Sequence, residues 1–350
     1  IRNSIMMSNH ARGFKHITFN TSKPLKTKIG HFEWQVITGR LESSGYLPPN
    51  SEFQYAGTNI YVPKINQNGY TDDWRYLQGY SISYSPKWVS GLSLGFIRWV
   101  QMYSALVKGK YWWMKGSPTW FPAFSNLFRK NDSSVDYEMQ TDQAAGVFLR
   151  WFWKDSKAEI YVDYHHNDSK HNIRDLLLDS DHSRAATVGL QKIFKINNDD
   201  FLFSWEWTQM EQTASRLLRN AGSWYQHNYV YDGFTNQGEV LGASIGPGSN
   251  SHYFALNRIR DKEKLGIAFE IIDQDNDFYH EAFNSANDQR RYWKDFNLHV
   301  NFSKKYKNLW LTSNFMYSRS LNYQWDLEDY ATPYYHPGND VNNFHMTLKL

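Results

Sequence analysis

The chain predicts an all-β fold, a transmembrane antiparallel β-barrel with long extracellular loops, of which about 13 strands are visible in the sequence. Three observations carry that expectation. Segments alternate apolar and polar residues with the period of a strand. They come in pairs joined by turns of about three to eight residues, whereas about 17–40 residues separate one pair from the next, the asymmetry of an outer-membrane barrel. Trp, Tyr and Phe make up 17% of the chain. Several stand at strand ends (Trp74, Trp99, Trp153, Tyr164, Trp207 and Trp293), where amphipathic rings settle at headgroup level.

The clearest hairpin is Ala145–Trp153 with Ala158–His165, joined by residues 154–157, Lys-Asp-Ser-Lys. Ala145, Val147, Leu149, Trp151 and Trp153 share one face; so do Ala158, Ile160, Val162 and Tyr164. Glu159, Tyr161, Asp163 and His165 fill the other, which gives one lipid-compatible face and one wet face. The next pair sets Ala186, Val188 and Leu190 opposite Phe201, Phe203, Trp205 and Trp207, with Leu202, Ser204, Glu206 and Thr208 on the wet face. Later pairs are Tyr253–Ile259 with Leu265–Ile271 and Phe296–Phe302 with Leu309–Tyr317. Earlier ones are Ile17–Thr21 with His31–Arg40 and Trp74–Tyr84 with Leu92–Val100. A lone terminal strand alternates Phe344, Met346, Leu348 and Leu350 against Asn343, His345, Thr347 and Lys349.

A soluble β-sandwich also alternates, but its turns are short at both ends. The mean hydropathy of −0.68 looks soluble. No run of about 18 apolar residues occurs, so no transmembrane helix is expected; a barrel satisfies its backbone through paired strands. With 38 basic and 35 acidic residues the net charge is +3, too balanced to argue for nucleic acid. The absence of cysteine removes disulfides, thiolate metal sites and cysteine nucleophiles together. Residues 1–350 read as a single barrel domain. Strand parity adds an expectation: six hairpins and one strand make an odd number, while bacterial barrels run to even numbers, so at least one strand is expected ahead of this sequence, the rival explanation being a further strand inside a long loop.

Residues 219–227 read Arg-Asn-Ala-Gly-Ser-Trp-Tyr-Gln-His, and 231–250 read Tyr-Asp-Gly-Phe-Thr-Asn-Gln-Gly-Glu-Val-Leu-Gly-Ala-Ser-Ile-Gly-Pro-Gly-Ser-Asn. This long segment resembles the signature of the Wzi family of capsule-assembly proteins. Glu159 to Asp163 with Asp168 and Asp181 to Arg184, and Asn9 to Phe14 with Thr21 to Pro24 and Gly39 to Glu42, resemble it too. The resemblance implies an outer-membrane barrel of about 18 strands when complete. It implies an internal plug and a lectin activity that holds capsular polysaccharide at the surface. Family members carry a helical plug segment and further strands ahead of the matched region, so the resemblance, like strand parity, implies N-terminal parts beyond this sequence.

The 219–250 loop suits a sugar-facing or lumen-closing role. Trp224, Tyr225, Tyr229 and Tyr231 offer flat faces for sugar C–H surfaces, with polar tips for hydrogen bonds. Arg219 suits the carboxylate of an acidic sugar. His227 lies in the family-like motif, as does His182. The same aromatics would equally pack the loop into the barrel mouth. A second aromatic loop holds Trp112, Trp113 and Trp120 among Lys108, Lys110 and Lys115, a pairing that fits an anionic polysaccharide or a loop core over the mouth. Asp273, Asp275 and Asp277 have a spacing compatible with calcium, but no glycine occupies an EF-hand turn position, and a solvated acidic loop is the simpler reading.

No Gly-x-Ser-x-Gly elbow and no His-Glu-x-x-His helix occurs, and lumen carboxylates such as Glu206 are expected merely to keep the interior wet and paired. Adjacent His165 and His166 point to opposite faces and cannot share a metal. The sequence therefore reads as a non-enzymatic outer-membrane lectin, without catalytic residues, metal or cofactor. Its expected partners are capsular or exopolysaccharide, outer-membrane lipids and lipopolysaccharide, and outer-membrane protein or lipoprotein neighbours. The alternatives are a porin for small solutes, marked by an open lumen, and a surface glycan hydrolase.

Overall fold

The computed structural model describes residues 1–45, 74–104, 141–167, 173–227, 230–283, 290–326 and 339–349. Its strands are β1 (Lys15–Asn20), β2 (Leu25–Lys26), β3 (Gly30–Leu41), β4 (Arg75–Pro86), β5 (Leu92–Tyr103), β6 (Asp142–Trp153), β7 (Ala158–Asn167), β8 (Arg184–Ile196), β9 (Asp199–Gln209), β10 (Thr235–Asn236), β11 (Glu239–Val240), β12 (Asn250–Arg260), β13 (Glu263–Asp273), β14 (Lys294–Tyr306), β15 (Leu309–Leu321) and β16 (Val341–Lys349). Among the described residues two short α-helices, α1 (Ile173–Leu178) and α2 (Asn276–Phe283), lie in the connections.

One antiparallel sheet runs β1-β3-β4-β5-β6-β7-β8-β9-β12-β13-β14-β15-β16, with β2 paired on β3. The expected hairpins are all present. The first is centred on Val147 against Tyr164, and the second sets Val188 against Trp207 and Leu190 against Trp205. Neighbours across the long connections pair as well, so the chain meanders around one wall. Strands β10 and β11 form a separate miniature hairpin.

The two faces of the wall have the inverse polarity of a soluble sheet. Phe254 and Leu256 of β12, Leu265, Ile267 and Phe269 of β13, Leu298 and Val300 of β14, and Phe315 of β15 are exposed. Asn257, Glu270 and Asn297, on the opposite face of β12, β13 and β14, are buried. A sandwich would cover the apolar face with a second sheet; here it faces outward, as lipid requires. Strand β7 repeats the pattern: Tyr161, Asp163, His165 and Asn167 are buried. His166 lies on the other face, its ring edge-on to Tyr164. No helix among the described residues is long and apolar enough to cross a membrane. This is the fold of a β-barrel wall.

Close packing on the inner face depends on small residues opposite large ones. Tyr161 of β7 stands directly across from Gly189 of β8, and a Cβ at Gly189 would fall 2.0 Å from the Tyr161 ring. Gly189→Val is expected to displace that ring and lower stability by about 1–3 kcal/mol, read from urea unfolding in detergent micelles; an unchanged midpoint would show that the ring has room to move.

Candidate functional site: the filled lumen and its rim

Two stretches without strand periodicity pack against the inner face of the wall: residues 1–14, and the connection after β9 through Met210, Trp224, Tyr225, Phe234 and Ile245. The first is held by a carboxylate clasp. Glu206 of β9 accepts the backbone N–H groups of Arg2 and Asn3 at 2.6 and 2.7 Å and the Tyr161 hydroxyl of β7 at 2.6 Å. The Arg2 guanidinium donates two bonds, each 2.9 Å, to Glu270 of β13 and lies over the Tyr253 ring of β12. Asn3 donates to Ser251 of β12 and accepts from Thr187 of β8. Four strands thus grip two residues, and β7 braces the carboxylate that holds them. A cavity of about 690 Å3 adjoins this clasp, bounded by polar inner-face groups that include Asn257, His299, Asn301 and Asn314.

Beyond the clasp, Ile5 and Met6 enter an apolar cluster with Leu41, Leu77, Trp99, Ala144 and Ala185 of the wall and Met210, Trp224, Tyr225, Phe234, Leu241, Ala243 and Ile245 of the connection. The Tyr225 hydroxyl ties the two stretches together: it donates to the Ile5 carbonyl at 2.7 Å and accepts from the Ala243 N–H at 2.8 Å. Gly242 must be glycine here, since a Cβ would sit 2.2 Å from both the Ile5 carbonyl and the Tyr225 hydroxyl. Phe234 stacks on Trp99 of β5 at 3.9 Å and 6°. Arg75 of β4, fully buried, donates to the carbonyls of Gly233, Thr235 and Glu42 and lies 3.9 Å from Asp232. Gln101 of β5 adds a bond to the Gly233 carbonyl, and the Tyr103 hydroxyl one to Asp232.

The residues expected from sequence to meet sugar separate into groups. Trp224 and Tyr225 are 1% and 5% exposed, so their rings serve the lumen core and offer no face to a ligand in this state. Arg219 already holds a carboxylate fork, Asp175 of α1 at 2.7 and 3.3 Å, with Asp179 at 3.8 Å. His227 is half-buried, and its Nδ1 accepts the Val230 N–H. Tyr231 is 45% exposed. Tyr229, Trp112, Trp113 and Trp120 lie outside the described residues. Sequence reasoning singled out neither Arg75 nor the clasp at Arg2, because an isolated arginine at a strand end carries no periodic signal.

At the rim, the acidic spacing of Asp273, Asp275 and Asp277 works as a latch. Asp273 pairs with Lys294 of β14 at 2.7 Å. Asp275 accepts from the Phe278 N–H, capping α2, while its own N–H donates to Ser249. Asp277 accepts from the Gln212 N–H and the Ser223 hydroxyl. Each carboxylate faces protein donors, and no group of metal-ligating side chains converges among the described residues. Burial, with smaller contributions from neighbouring carboxylates, pushes Asp275 up to about 7 and Asp277 up to about 6. Burial also works to raise Glu211, but hydrogen bonds from His280, Asn276, Asn250 and Arg216 outweigh it and hold the group down at about 2.

A sequence model of capsule assembly protein Wzi matches residues 1–333. The chain belongs to the Wzi family. No curated protein sequence matches it. Among solved structures it is similar to Wzi of Escherichia coli, described as an outer membrane protein involved in group 1 capsule assembly and a carbohydrate-binding β-barrel. The match has a TM-score of 0.60 and 14% identity over 91% of this chain, and the chain spans 60% of that protein's length. The family and the outward-facing apolar band place the wall in the outer membrane.

Two outcomes are expected. Both Asp275 and Asp277 keep their proton in the folded state to higher pH than the ordinary aspartate value of 3.8. Their contribution to rim stability is therefore full below about pH 4 and lost as pH rises through about 6 to 7. Limited proteolysis of the rim loops should be slower at pH 5 than at pH 8, and Asp275→Asn should flatten that profile; an unaltered profile in the variant would assign the dependence to other groups. Phe234→Ala should cost about 3–5 kcal/mol locally, seen as faster hydrogen exchange through 224–245 with the strands unaffected; equal exchange in both proteins would show that the Trp99 stack does not hold the loop.

Proposed function

We propose that this chain is the barrel of an outer-membrane lectin that binds capsular or exopolysaccharide and holds it at the cell surface. The observation that carries the reading is family membership over residues 1–333. Packing of Ile5, Met6, Trp224, Tyr225 and Phe234 on the inner face supports it over a porin, because these buried side chains stand where a solute path would need open space. A hydrolytic role for Glu206 is disfavoured by the same geometry: both carboxylate oxygens are engaged by Arg2, Asn3 and Tyr161. Contact with glycan falls to the rim. There Tyr231 keeps a ring open to solvent, with His227 and Arg219 in the same connection; Tyr229, Trp112, Trp113 and Trp120, outside the described residues, are further candidates by sequence alone. Lipids and lipopolysaccharide surround the apolar outer face, and neighbouring outer-membrane proteins or lipoproteins are compatible with its rim.

Detergent-purified protein should bind the exopolysaccharide of its own cells saturably and leave an unrelated polysaccharide unbound. Tyr231→Ala should weaken that binding about tenfold. Trp224→Ala, in contrast, should first disturb the lumen core. Failure of the native protein to bind any envelope glycan would overturn the lectin reading.

A further inference from the structure

The described rim carries a second aromatic outcrop far along the chain from Tyr231. Helix α2, the segment before β14 and the turn 323–325 bring together Phe278, Tyr279, Phe283, Tyr292, Trp293 and Trp325. Most of these rings pack on one another. Tyr292 is different: one face rests on Tyr279, centroids 3.9 Å apart, yet 40% of the residue is exposed. Its support is rigid, since Tyr279 is buried and α2 is latched by Asp275 and Asp277 to the Gly248–Ser249 and 212–223 segments.

Beside the ring stands a charged relay. The His280 ring lies edge-on to Tyr292 at 5.9 Å. His280 Nε2 reaches Glu211 at 3.4 Å, and Glu211 holds Arg216 Nη1 at 3.2 Å. Asn250 and Asn276 saturate the other Glu211 oxygen at 2.7 and 2.9 Å. Arg216 spends Nη1 on Glu211 and the Gln212 carbonyl, which fixes its plane and leaves Nε and Nη2 without a bonded acceptor among the described residues. A half-exposed ring braced from behind, linked through His280 and Glu211 to an oriented guanidinium edge with donors to spare, suits a pyranose: the ring takes the C–H face and the guanidinium an oxygen.

We infer that Tyr292 and Arg216 form a monosaccharide subsite of the rim, taking an acidic sugar of an extended polysaccharide with its C–H face on Tyr292 and its carboxylate on Arg216. The subsite rests on the lectin reading above and adds to it a named place and a ligand class. Arg216 suits a carboxylate better than a hydroxyl because an ionised acceptor makes the shorter and stronger bond. Glu211 acts as a positioning residue, since its own lone pairs are taken.

The test uses the whole detergent-purified chain and the exopolysaccharide of its own cells, native and with its carboxyl groups reduced to alcohols. Tyr292→Ala should weaken binding of the native polymer about tenfold while Tyr292→Phe keeps it. Arg216→Gln should weaken the native polymer and leave binding of the reduced polymer at the level of the unmutated protein. Heat-modifiable gel mobility confirms in each case that the barrel is folded. If the unmutated protein binds and Tyr292→Ala binds equally well, the subsite is overturned and the lectin reading stands. Equal loss with both polymers in Arg216→Gln overturns the acidic-sugar assignment. If the unmutated protein binds no polysaccharide, the lectin reading falls and the subsite with it.

Discussion

A sheet that turns its apolar face to lipid must turn its polar face inward, and every buried polar group there needs a partner. Glu206 shows the constraint most sharply. It is 1% exposed, and its three donors come from β7 and from the backbone of residues 2 and 3. A buried carboxylate left without such partners would cost several kcal/mol. The segment 1–14 is thus as much a component of the wall's electrostatics as a filling, and the apolar cluster around Ile5, Met6, Trp224 and Phe234 builds on the position it fixes.

The same logic extends upward. The rim connections among the described residues carry few strands of their own, yet shared acceptors tie them together: Asp277 serves Gln212 and Ser223, Glu211 serves Asn250, Asn276, Arg216 and His280, and Asp175 serves Arg219. Loops held in this way lose little further freedom when a polymer settles on them. That preorganisation matters for a lectin, whose individual sugar contacts are weak and whose affinity is easily consumed by ordering its own loops.

The wall was legible in the sequence because period-two alternation reports which side of a strand a residue occupies; Val147, Val162, Val188 and Trp207 lie where the pattern put them. Among the described residues the path of 13 strands, with β2 paired beside it, equals the number of alternating segments. The interior was not legible. Ile5, Met6, Arg75 and Phe234 owe their roles to partners remote in sequence, and no local rhythm marks such pairings. Trp224 and Tyr225 illustrate the ambiguity: an aromatic pair in a glycine-rich loop reads the same whether it stacks on sugar or closes a core, and burial alone separates the two. The platform at Tyr292 was invisible for a related reason, because its backing ring comes from α2 and its neighbouring charge from the connection after β9.

The bond between Arg2 and Glu270 spans a sequence separation of 268 residues. Such a contact forms only after β13 has been laid down, long after the segment it holds. Closing so long a loop is entropically slow, and the wall cannot roll up around an interior that arrives late. The Arg2–Glu270 bond therefore closes only once β13 has joined the sheet, after the strands that carry Thr187, Glu206 and Ser251. The order of events in biogenesis, rather than the strength of any finished contact, is what this inward-folded segment makes critical.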